Sequence, residues 1–523
     1  MRAVTGRWAE IGGRGFWGLA AIVLAIAAEA RFLGLTDRSL WFDEAHSVYV
    51  TQSPFLQLLG LVAHTDTHPP LYYVLLKAWM VFFGSGEMAV RGLSAVCGFL
   101  MIPLLYGFVR RMTDRDVALA AAVLLAGSAF AARAAQEARM YPLLGLLALG
   151  SWAALRVALE QPRARTWIVY AATTALMLYT HYFGFLVFGS QTLFLIPRLW
   201  RDRRTLVAAA VAQAGALLLF LPWTPAFIIQ VGSGRGWPTF RPPVGATAAT
   251  DLFGLYSFGG ELFGAAGYFH VSSLSPWMVL LLSAPFLVLA GAGFYALRGE
   301  RAWCLACYLA VPVGAAIIVS QRTNIFYPRY FSFLAPAWAV LMGAGVDATA
   351  RSLLRLPRLR PLGRPAIAIG LVVALLAANA PVINGYSYEG EDTYNWRAAA
   401  ELVAAEAGPD DYLLFVPGFG EKAFEYYYKG TQERFQLWPV EIYQMVRIRK
   451  PPDPTVGKAW VRRLAETHPR VWIVGTVPFP PAAYLRLRTM LAAGFDGERA
   501  WDFHYVYVFE LKSHLYTAKA KRP

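Results

Sequence analysis

Two adjacent carboxylates, Asp43 and Glu44, stand in the stretch RSLWFDEAHSVYV, soon after a long apolar run. Trp41 and Phe42 precede them, and aromatic side chains of this kind anchor a chain at the boundary between lipid and water. A carboxylate that is partly removed from water has a raised pKa and suits general-base catalysis. The stretch therefore predicts a base at a membrane surface, although an arbitrary acidic pair is more often part of a solvated loop.

Other ionisable residues also stand beside apolar runs. Glu137 lies in QEARMYP, His68 precedes two prolines, and Arg329 lies between aromatic residues in NIFYPRYFSF. A guanidinium suits a lipid phosphate because its planar fork takes two oxygens. Structural alternatives remain open: an acid paired with a neighbouring arginine, a capping histidine and an arginine that reaches for lipid headgroups. The further candidates for substrate binding are Arg139, Tyr141, His181 and Tyr330.

Metal and redox chemistry have weaker support. His64 and His68 are four residues apart and could bind a metal with a carboxylate, but the prolines that follow argue against one continuous helix. Cys304 and Cys307 have the CxxC spacing, yet they stand in an apolar segment without a partner cluster. The sequence predicts no disulfide framework and requires no cofactor, and it leaves a divalent cation open.

The composition is that of a polytopic membrane protein. The chain has 523 residues, of which 57% are hydrophobic and 15% charged, whereas a soluble protein carries about 25% charged residues. The formal charge of +15 would suggest nucleic acid in a soluble protein. Here the arginines form short clusters between apolar blocks, which indicates cytoplasmic loops and excludes nucleic acid as a partner.

The apolar blocks predict about eleven spans of roughly the 20 residues that a bilayer requires. They cover residues 16–35, 91–109, 117–134, 142–159, 167–181, 184–197, 205–222, 277–297, 302–320, 331–349 and 365–383. The first block is too long for a cleaved signal and is interpreted as a retained span. Residues 69–83 are too few to cross and contain Lys77, which predicts an interfacial helix, and residues 44–64 suggest another.

This arrangement puts every basic loop on one face, which is therefore predicted to be cytoplasmic. The polar residues predicted on the opposite face are Asp43, Glu44, His64, Asp66, His68, Glu137, Arg139, His181, Arg322 and Arg329. After about residue 385 the pattern changes to strand-like DDYLLFVPG, PRVWIVGTVP and HYVYVFELK, with helix-like NWRAAAELVAAEAG and AAYLRLRTMLAAGF. We expect a transmembrane catalytic domain over 1–385 and a small extracytoplasmic α/β domain over 386–523.

Taken together, LWFDEAHSVYV, THPPLYYVLLKAWMVFF, QEARMYPLL and YPRYFSFLAP resemble the GT-C glycosyltransferases, in particular their protein O-mannosyltransferase-like and Rgt-like branch. The resemblance extends over about residues 1–385. It implies a mainly helical integral membrane enzyme that transfers a sugar, with inversion, from a polyprenyl-phosphate carrier to a glycan, lipid or protein. It also implies a bacterial cytoplasmic membrane, with the active site and the C-terminal domain on the periplasmic side.

The resemblance also assigns roles to residues. Asp43 would be the base, Glu44 its neighbour, Glu137 a second acidic group and Arg329 the ligand of the donor phosphate. Relatives that transfer aminoarabinose carry a lysine before the two prolines, where this chain has His68. Two other classes of function stay open, a transporter or flippase of lipid-linked sugars and a non-catalytic scaffold. A transporter would place its site at the bilayer midplane between repeated halves, and this sequence has no evident repeat.

Overall fold

The computed structural model describes residues 13–198, 202–233, 244, 252, 254–257, 276–388, 394–437, 457–476, 487–503 and 506–516. The chain packs as two units. The membrane unit comprises the described residues within 1–35, 54–231 and 243–389. The sheet unit comprises those within 36–53, 232–242 and 390–523. The residues around Asp43 thus pack with the C-terminal part of the chain.

The helices follow one another along the chain with short connections. In chain order they are α1 Gly13–Phe32, α2 Phe42–Gln52, α3 Phe55–Thr65, α4 Leu71–Phe83, α5 Glu87–Met112, α6 Arg115–Ala126, α7 Ala129–Ala135, α8 Tyr141–Glu160, α9 Ala164–Leu178, α10 Gly184–Leu195, α11 Arg203–Phe220, α12 Thr224–Ser233, α13 Pro276–Leu297, α14 Gly299–Ser320, α15 Ala335–Leu353, α16 Gly363–Tyr388, α17 Trp396–Glu406, α18 Glu421–Tyr427 and α19 Lys458–Thr467. Of these, α2 and α17 to α19 belong to the sheet unit.

The predicted polytopic architecture is confirmed, because each predicted span falls on helical residues of the membrane unit, although the span predicted over 117–134 is divided between α6 and α7. Within the described residues, seven helices are long and apolar enough to cross a membrane, and the number is eight if α6 and α7, which meet at 57°, form one broken span. The predicted spans at α9 and α10 are shorter helices of 15 and 12 residues. The segment predicted to be interfacial forms α4, of 13 residues, and α3 before it has 11.

A buried arginine fills the break between α6 and α7. Arg31, near the end of α1, is 1% exposed. Its guanidinium donates to Leu125 O and Ala126 O at the end of α6, at 2.9 and 2.7 Å, and to Gly98 O in α5 at 3.1 Å. The last carbonyls of a helix have no partner within that helix. Arg31 therefore satisfies these groups where water is scarce, and it joins three helices.

The loop that follows α7 is fixed to α1 from the other side. The Gln136 side-chain amide donates to Ala30 O at 3.2 Å and to Leu33 O at 3.0 Å. Gly98 allows this junction to close, because a Cβ there would lie 2.6 Å from the Ala135 Cβ. The end of α1 and the start of the α7–α8 loop are consequently held in one place, and that loop carries Glu137 and Arg139 and leads to Tyr141, the first residue of α8.

The interior of the membrane unit also holds a neutral polar network. Ser151 bonds to Thr174 at 2.8 Å, and the Gln191 amide donates to Ser151 at 2.9 Å. Tyr170 donates to Gln191 at 2.9 Å and accepts from Gln213 at 3.0 Å. Hydroxyl and amide groups that satisfy one another in this way hold helices together in lipid. The network links α8, α9, α10 and α11.

Charged residues at one end of the membrane unit bring the basic loops together. Arg156 contacts both Glu160 and Glu300 at 2.7 Å, and Arg111 contacts Glu160 at 3.0 Å. Arg351 contacts Asp114 at 3.3 Å. Four loops that the arginine pattern assigns to one face thus meet at one end of the helices. The N-terminal Arg2 and Arg7 lie outside the described residues.

The sheet unit is built on strands β1 Tyr412–Val416, β2 Glu433–Gln436, β3 Arg470–Thr476, β4 Phe495–Asp502 and β5 Val506–Ser513, in the spatial order β2-β1-β3-β5-β4. β1 pairs in parallel with β2 and β3, and β5 pairs antiparallel with β3 and β4. The predicted small α/β domain is confirmed, and β1, β3 and β5 are the three predicted strands. Of the predicted helix near 482–495, the structure describes residues 487–495, of which 487–491 are helical and 492–494 form a turn.

We predict that replacing Arg31 by methionine destabilises the membrane unit. The substitution removes the hydrogen bond from Arg31 to Ala126 O, and a buried carbonyl left without a donor costs about 1–3 kcal/mol. The measurement is the thermal midpoint of the detergent-solubilised protein, followed by size-exclusion chromatography after heating. Arg165→Met, at an exposed arginine, is the control. Equal midpoints for the two variants would show that Arg31 does not hold the junction.

Candidate active site

Four connecting segments of the membrane unit supply the predicted site residues. They are the α3–α4 loop with His68, the α7–α8 loop with Glu137 and Arg139, the α9–α10 turn with His181, and a 3-10 segment, Pro328–Leu334, with Arg329 and Tyr330. The contacts described below bring these segments together. Seven of the nine predicted residues, all except Asp43 and Glu44, therefore lie in one cluster.

Asp66 fixes the orientation of His68. Its Oδ1 lies 2.7 Å from His68 Nδ1 and also accepts from the backbone N–H groups of Thr67 and His68, at 2.6 and 2.9 Å. Both residues are buried, with 8% and 6% exposure. With Nδ1–H donated to a carboxylate, the imidazole presents Nε2 to its other side. The sequence predicted Asp66 on the same membrane face as His68 but did not identify it as a site residue.

Tyr73 connects this pair to Arg139. The Tyr73 hydroxyl donates to Asp66 Oδ2 at 2.5 Å and accepts from an Arg139 amino group at 3.3 Å. The other amino group of Arg139 lies 3.4 Å from His68 Nδ1. The Arg139 carbonyl in turn accepts from Ser94 Oγ at 2.9 Å. Arg139 is thus a buried cation whose backbone and side chain are both held in place.

Tyr73 was not identified from the sequence at all. It lies in the first turn of α4, three residues after Pro70, where a side chain points back toward the start of the helix. Asp66 and His68 have the spacing of an Asx turn, in which an aspartate side chain accepts from the backbone two residues later. These two local patterns were the available signals.

His181 is a neutral hydrogen-bond donor. Its Nδ1 accepts from the backbone N–H of Phe183 at 3.0 Å, so its proton is on Nε2. Burial lowers the pKa of His181 well below its usual range, and the positive charges of His68 and Arg139 lower it further. Among the described residues, Nε2 has no hydrogen-bond acceptor although the atom is buried. The ring of His181 lies 4.9 Å from that of His68, centroid to centroid.

Tyr330 packs among the rings of the cluster. Its ring lies 5.5 Å from that of Tyr141, 5.4 Å from that of His181 and 5.6 Å from that of Phe183. The ring of His68 is 6.3 Å away between centroids and is nearly perpendicular to that of Tyr330. These contacts join the 3-10 segment to the α9–α10 turn and to the start of α8, and they surround the histidines with apolar surface.

Arg329 lies between an acid and two aromatic faces. Its guanidinium is 4.0 Å from Glu137, which is also 3.5 Å from Arg133. The guanidinium carbon lies over the rings of Tyr327 and Tyr141, at 4.9 and 5.6 Å. The side chain of Arg329 is 24% exposed, against 14% for Glu137. Among the described residues of this cluster, the guanidinium groups of Arg133, Arg139 and Arg329 outnumber the carboxylates of Asp66 and Glu137, and an excess of positive charge attracts an anion.

Asp43 and Glu44 lie in the first turn of α2, in the sheet unit. Glu44 is completely buried, and its Oε2 accepts from the backbone N–H of Trp41 at 3.3 Å, which caps the helix. Asp43 is half-buried. Of the two acids, Glu44 therefore has a structural task in its own helix.

The candidate metal ligands are separated. His64 is exposed at the end of α3, whereas His68 is buried. Within the part of the chain that the structure describes, no group of three or more histidine, cysteine, aspartate or glutamate side chains is placed to hold a metal ion. Cys97, Cys304 and Cys307 are buried free thiols.

Comparison with known proteins agrees with this fold. The family described as dolichyl-phosphate-mannose-protein mannosyltransferase matches residues 67–227. This range contains four of the predicted site residues in the α3–α4, α7–α8 and α9–α10 connections, and Tyr141 at the start of α8. No curated protein matches the sequence.

Solved structures are similar over nearly the whole chain. ArnT from Cupriavidus metallidurans bound to undecaprenyl phosphate has 14% identity and a TM-score of 0.58, covering 97% of this chain and 100% of its own. The apo form of that protein has 14% identity and a TM-score of 0.60, covering 95% of this chain and 97% of its own. AglB from Archaeoglobus fulgidus, in complex with an inhibitory peptide and a dolichol-phosphate, has 14% identity and a TM-score of 0.57. The match covers 94% of this chain and 74% of that protein. The protein thus has the fold of the GT-C glycosyltransferases, and the resemblance predicted from the sequence is confirmed.

Proposed function

We propose that this protein is an inverting glycosyltransferase that uses a polyprenyl-phosphate-linked sugar and acts on the periplasmic side of a bacterial cytoplasmic membrane. The observation that carries the proposal is the buried cluster of Arg139, His68 and His181 with Arg329 at its edge, at one end of a membrane-spanning bundle of the GT-C fold. Such a cluster suits an anion whose lipid tail stays in the membrane. The acceptor is a glycan, a lipid or a protein.

The donor phosphate is proposed to bind the cationic end of this cluster. Arg139 and Arg329 each offer a planar fork that stays charged when partly desolvated. His181 adds a neutral Nε2–H donor that adds no charge to the site. Because negative charge grows on the phosphate oxygen as the sugar departs, donors that are already fixed stabilise the transition state more than the ground state.

Asp43 is proposed as the base, on its place in the sequence pattern and its half-buried position in α2. In the proposed step an acceptor hydroxyl attacks the anomeric carbon and gives its proton to Asp43. The bond from that carbon to the phosphate oxygen breaks, and the polyprenyl phosphate leaves with the electron pair. Glu44, which caps its own helix, is proposed to orient α2.

Glu137 was predicted as a second acidic group of the reaction. Its position between Arg133 and Arg329 favours a different task, which is to orient the Arg329 fork toward the donor. We therefore propose that Glu137 acts through Arg329 and takes no proton. The proposed roles of Tyr141 and Tyr330 are to stack against Arg329 and the histidines and to keep water away from the phosphate.

Asp43→Asn is expected to lower transfer about 10²–10⁴-fold, the usual effect of losing a general base, with folding unchanged. The full chain is assayed in nanodiscs for release of polyprenyl phosphate. Donors carry a hexose, a pentose or an aminopentose; acceptors are an oligosaccharide, a glycolipid and a hydroxyl-containing peptide. Asp37→Asn, at an exposed acid of the same segment, is the control. If Asp43→Asn keeps more than about a tenth of the wild-type rate, Asp43 is not the base.

Arg329→Ala is expected to lower turnover about 10²–10³-fold, the effect of removing one charge-stabilising donor, and to weaken donor binding. Arg329→Lys should keep part of the activity because it retains the charge and loses only the fork. Arg322→Ala, at an exposed arginine of the same end, serves as the control and should stay within about twofold of the wild type. An Arg329→Ala enzyme that is equally unaffected would make Arg329 a headgroup anchor.

The proposed orientation predicts that the two ends of α14 report opposite sides of the membrane. Gln161, beside the Glu160 and Glu300 cluster, should be cytoplasmic, and Thr323, just past the other end of α14, should be periplasmic; both are exposed. Single cysteines at these positions are tested with a membrane-impermeant maleimide in intact cells. The native cysteines are buried and should stay unlabelled. Labelling at position 161 but not at 323 would reverse the orientation.

A further inference from the structure

We infer that the C-terminal domain is a positioning element for the catalytic base, acting through Tyr427 and Phe419 on the segment that carries Asp43. This segment, residues 36–53, belongs to the sheet unit together with the described residues after 390. The inference deepens the proposed function and rests on Asp43 being the base. It assigns to the C-terminal domain a task in the reaction that does not depend on the acceptor.

The first contact is a hydrogen bond at the start of α2. The backbone N–H of Leu40, three residues before Asp43, donates to the Tyr427 hydroxyl at 2.7 Å. Leu40 is completely buried, so this N–H has no access to water. An N–H group in that situation requires a protein acceptor. Tyr427 is the last residue of α18, and its hydroxyl therefore fixes the position at which α2 begins.

A second contact fixes the chain just before it. The Ser39 hydroxyl donates to Tyr394 O at 2.5 Å and accepts from the backbone N–H of Trp396 at 3.1 Å. The Arg397 guanidinium donates to Thr36 O at 2.9 Å. The approach to α2 is thus tied to the start of α17 at two places, so the segment enters α2 from a defined direction.

Packing along α2 completes the attachment. The ring of Phe42, next to Asp43, meets that of Phe419 edge to face at 5.3 Å between centroids. About two turns further along the helix, the Lys422 ammonium lies 4.2 Å from the centre of the Tyr49 ring. An isolated helix of 11 residues is marginal in water. The order of α2, and with it the position of the Asp43 carboxylate, therefore depends on contacts with the C-terminal domain.

A general base must be placed to within a fraction of an ångström, and a displacement of about 1 Å can cost roughly 100-fold in rate. Loosening α2 should consequently lower turnover and leave donor binding intact, because the proposed phosphate ligands belong to the membrane unit. This separation distinguishes a positioning role from a general loss of stability, which would lower both.

The test compares two neighbouring tyrosines. Tyr427→Phe removes the acceptor of the Leu40 N–H, whereas Tyr428→Phe removes a hydroxyl that bonds to Gln432, inside the C-terminal domain, at 2.5 Å. We expect Tyr427→Phe to lower kcat about 3- to 10-fold, the worth of one hydrogen bond, and Tyr428→Phe to leave it within about twofold. Binding of polyprenyl phosphate to the full chain in nanodiscs should be unchanged in both variants.

A second pair tests the ring contact. Phe419→Ala should lower kcat about 10- to 100-fold, and Phe419→Leu, which keeps an apolar side chain of similar reach, should restore most of it. Hydrogen exchange provides a readout that does not require activity. Amides of residues 40–52 should exchange faster in Tyr427→Phe and Phe419→Ala, while those of β1 and β3 keep the wild-type rate.

The outcomes separate this inference from the proposed function. Wild-type exchange of residues 40–52 in both variants, or equal losses of kcat in Tyr427→Phe and Tyr428→Phe, would overturn the inference. The assignment of Asp43 as the base would survive such a result, because it depends on Asp43→Asn alone. Conversely, if Asp43→Asn is active, the base assignment and the inference fall together, and the phosphate cluster is judged by Arg329→Ala.

Discussion

The architecture of the membrane unit depends on one buried cation. Arg31 donates hydrogen bonds to buried carbonyls where α6 gives way to α7. Without such a donor, a break in a helix at membrane depth is very costly. The break matters because it turns the chain into the α7–α8 loop, and three predicted site residues, Glu137, Arg139 and Tyr141, follow within six residues of α7. Arg31 takes no part in the proposed chemistry, but it fixes the α7–α8 loop, which supplies proposed site residues.

The two arginines proposed to bind phosphate are held by different means. Arg139 is buried, and its guanidinium contacts the Tyr73 hydroxyl and His68. Arg329 is partly exposed and is oriented by Glu137 and by aromatic faces. Arg139 is held in place before any ligand binds, whereas Arg329 is proposed to exchange its contact with Glu137 for one with the donor phosphate. Such a pair suits a carrier that must bind with its sugar and leave without it.

The sequence was most informative where a physical constraint acts over many residues. Bilayer thickness predicted the helical spans, of which one is divided between α6 and α7, and alternation predicted β1, β3 and β5. Four of the loops that the arginine clusters assigned to one face meet at one end of the helices. The sequence was least informative where partners are distant or polar groups pair locally. Asp66 and Tyr73 escaped identification because neither stands out until the α3–α4 loop folds around His68. The association of residues 36–53 with the C-terminal domain could not be predicted, because the sequence of an eleven-residue helix does not indicate which distant segment it packs against.

That association has a consequence for biosynthesis. Leu40 and Tyr427 are separated by 387 residues, and at roughly 5–20 residues per second the ribosome needs about 20–80 s to make the second after the first. During this interval α2 has emerged without the surface that orders it. A nascent chain already inserted in the membrane would therefore hold the proposed phosphate ligands of its early helices but an unplaced base. Lipid-linked sugar would be safe from such unfinished copies, because competence arrives only after the C-terminal domain has been translated.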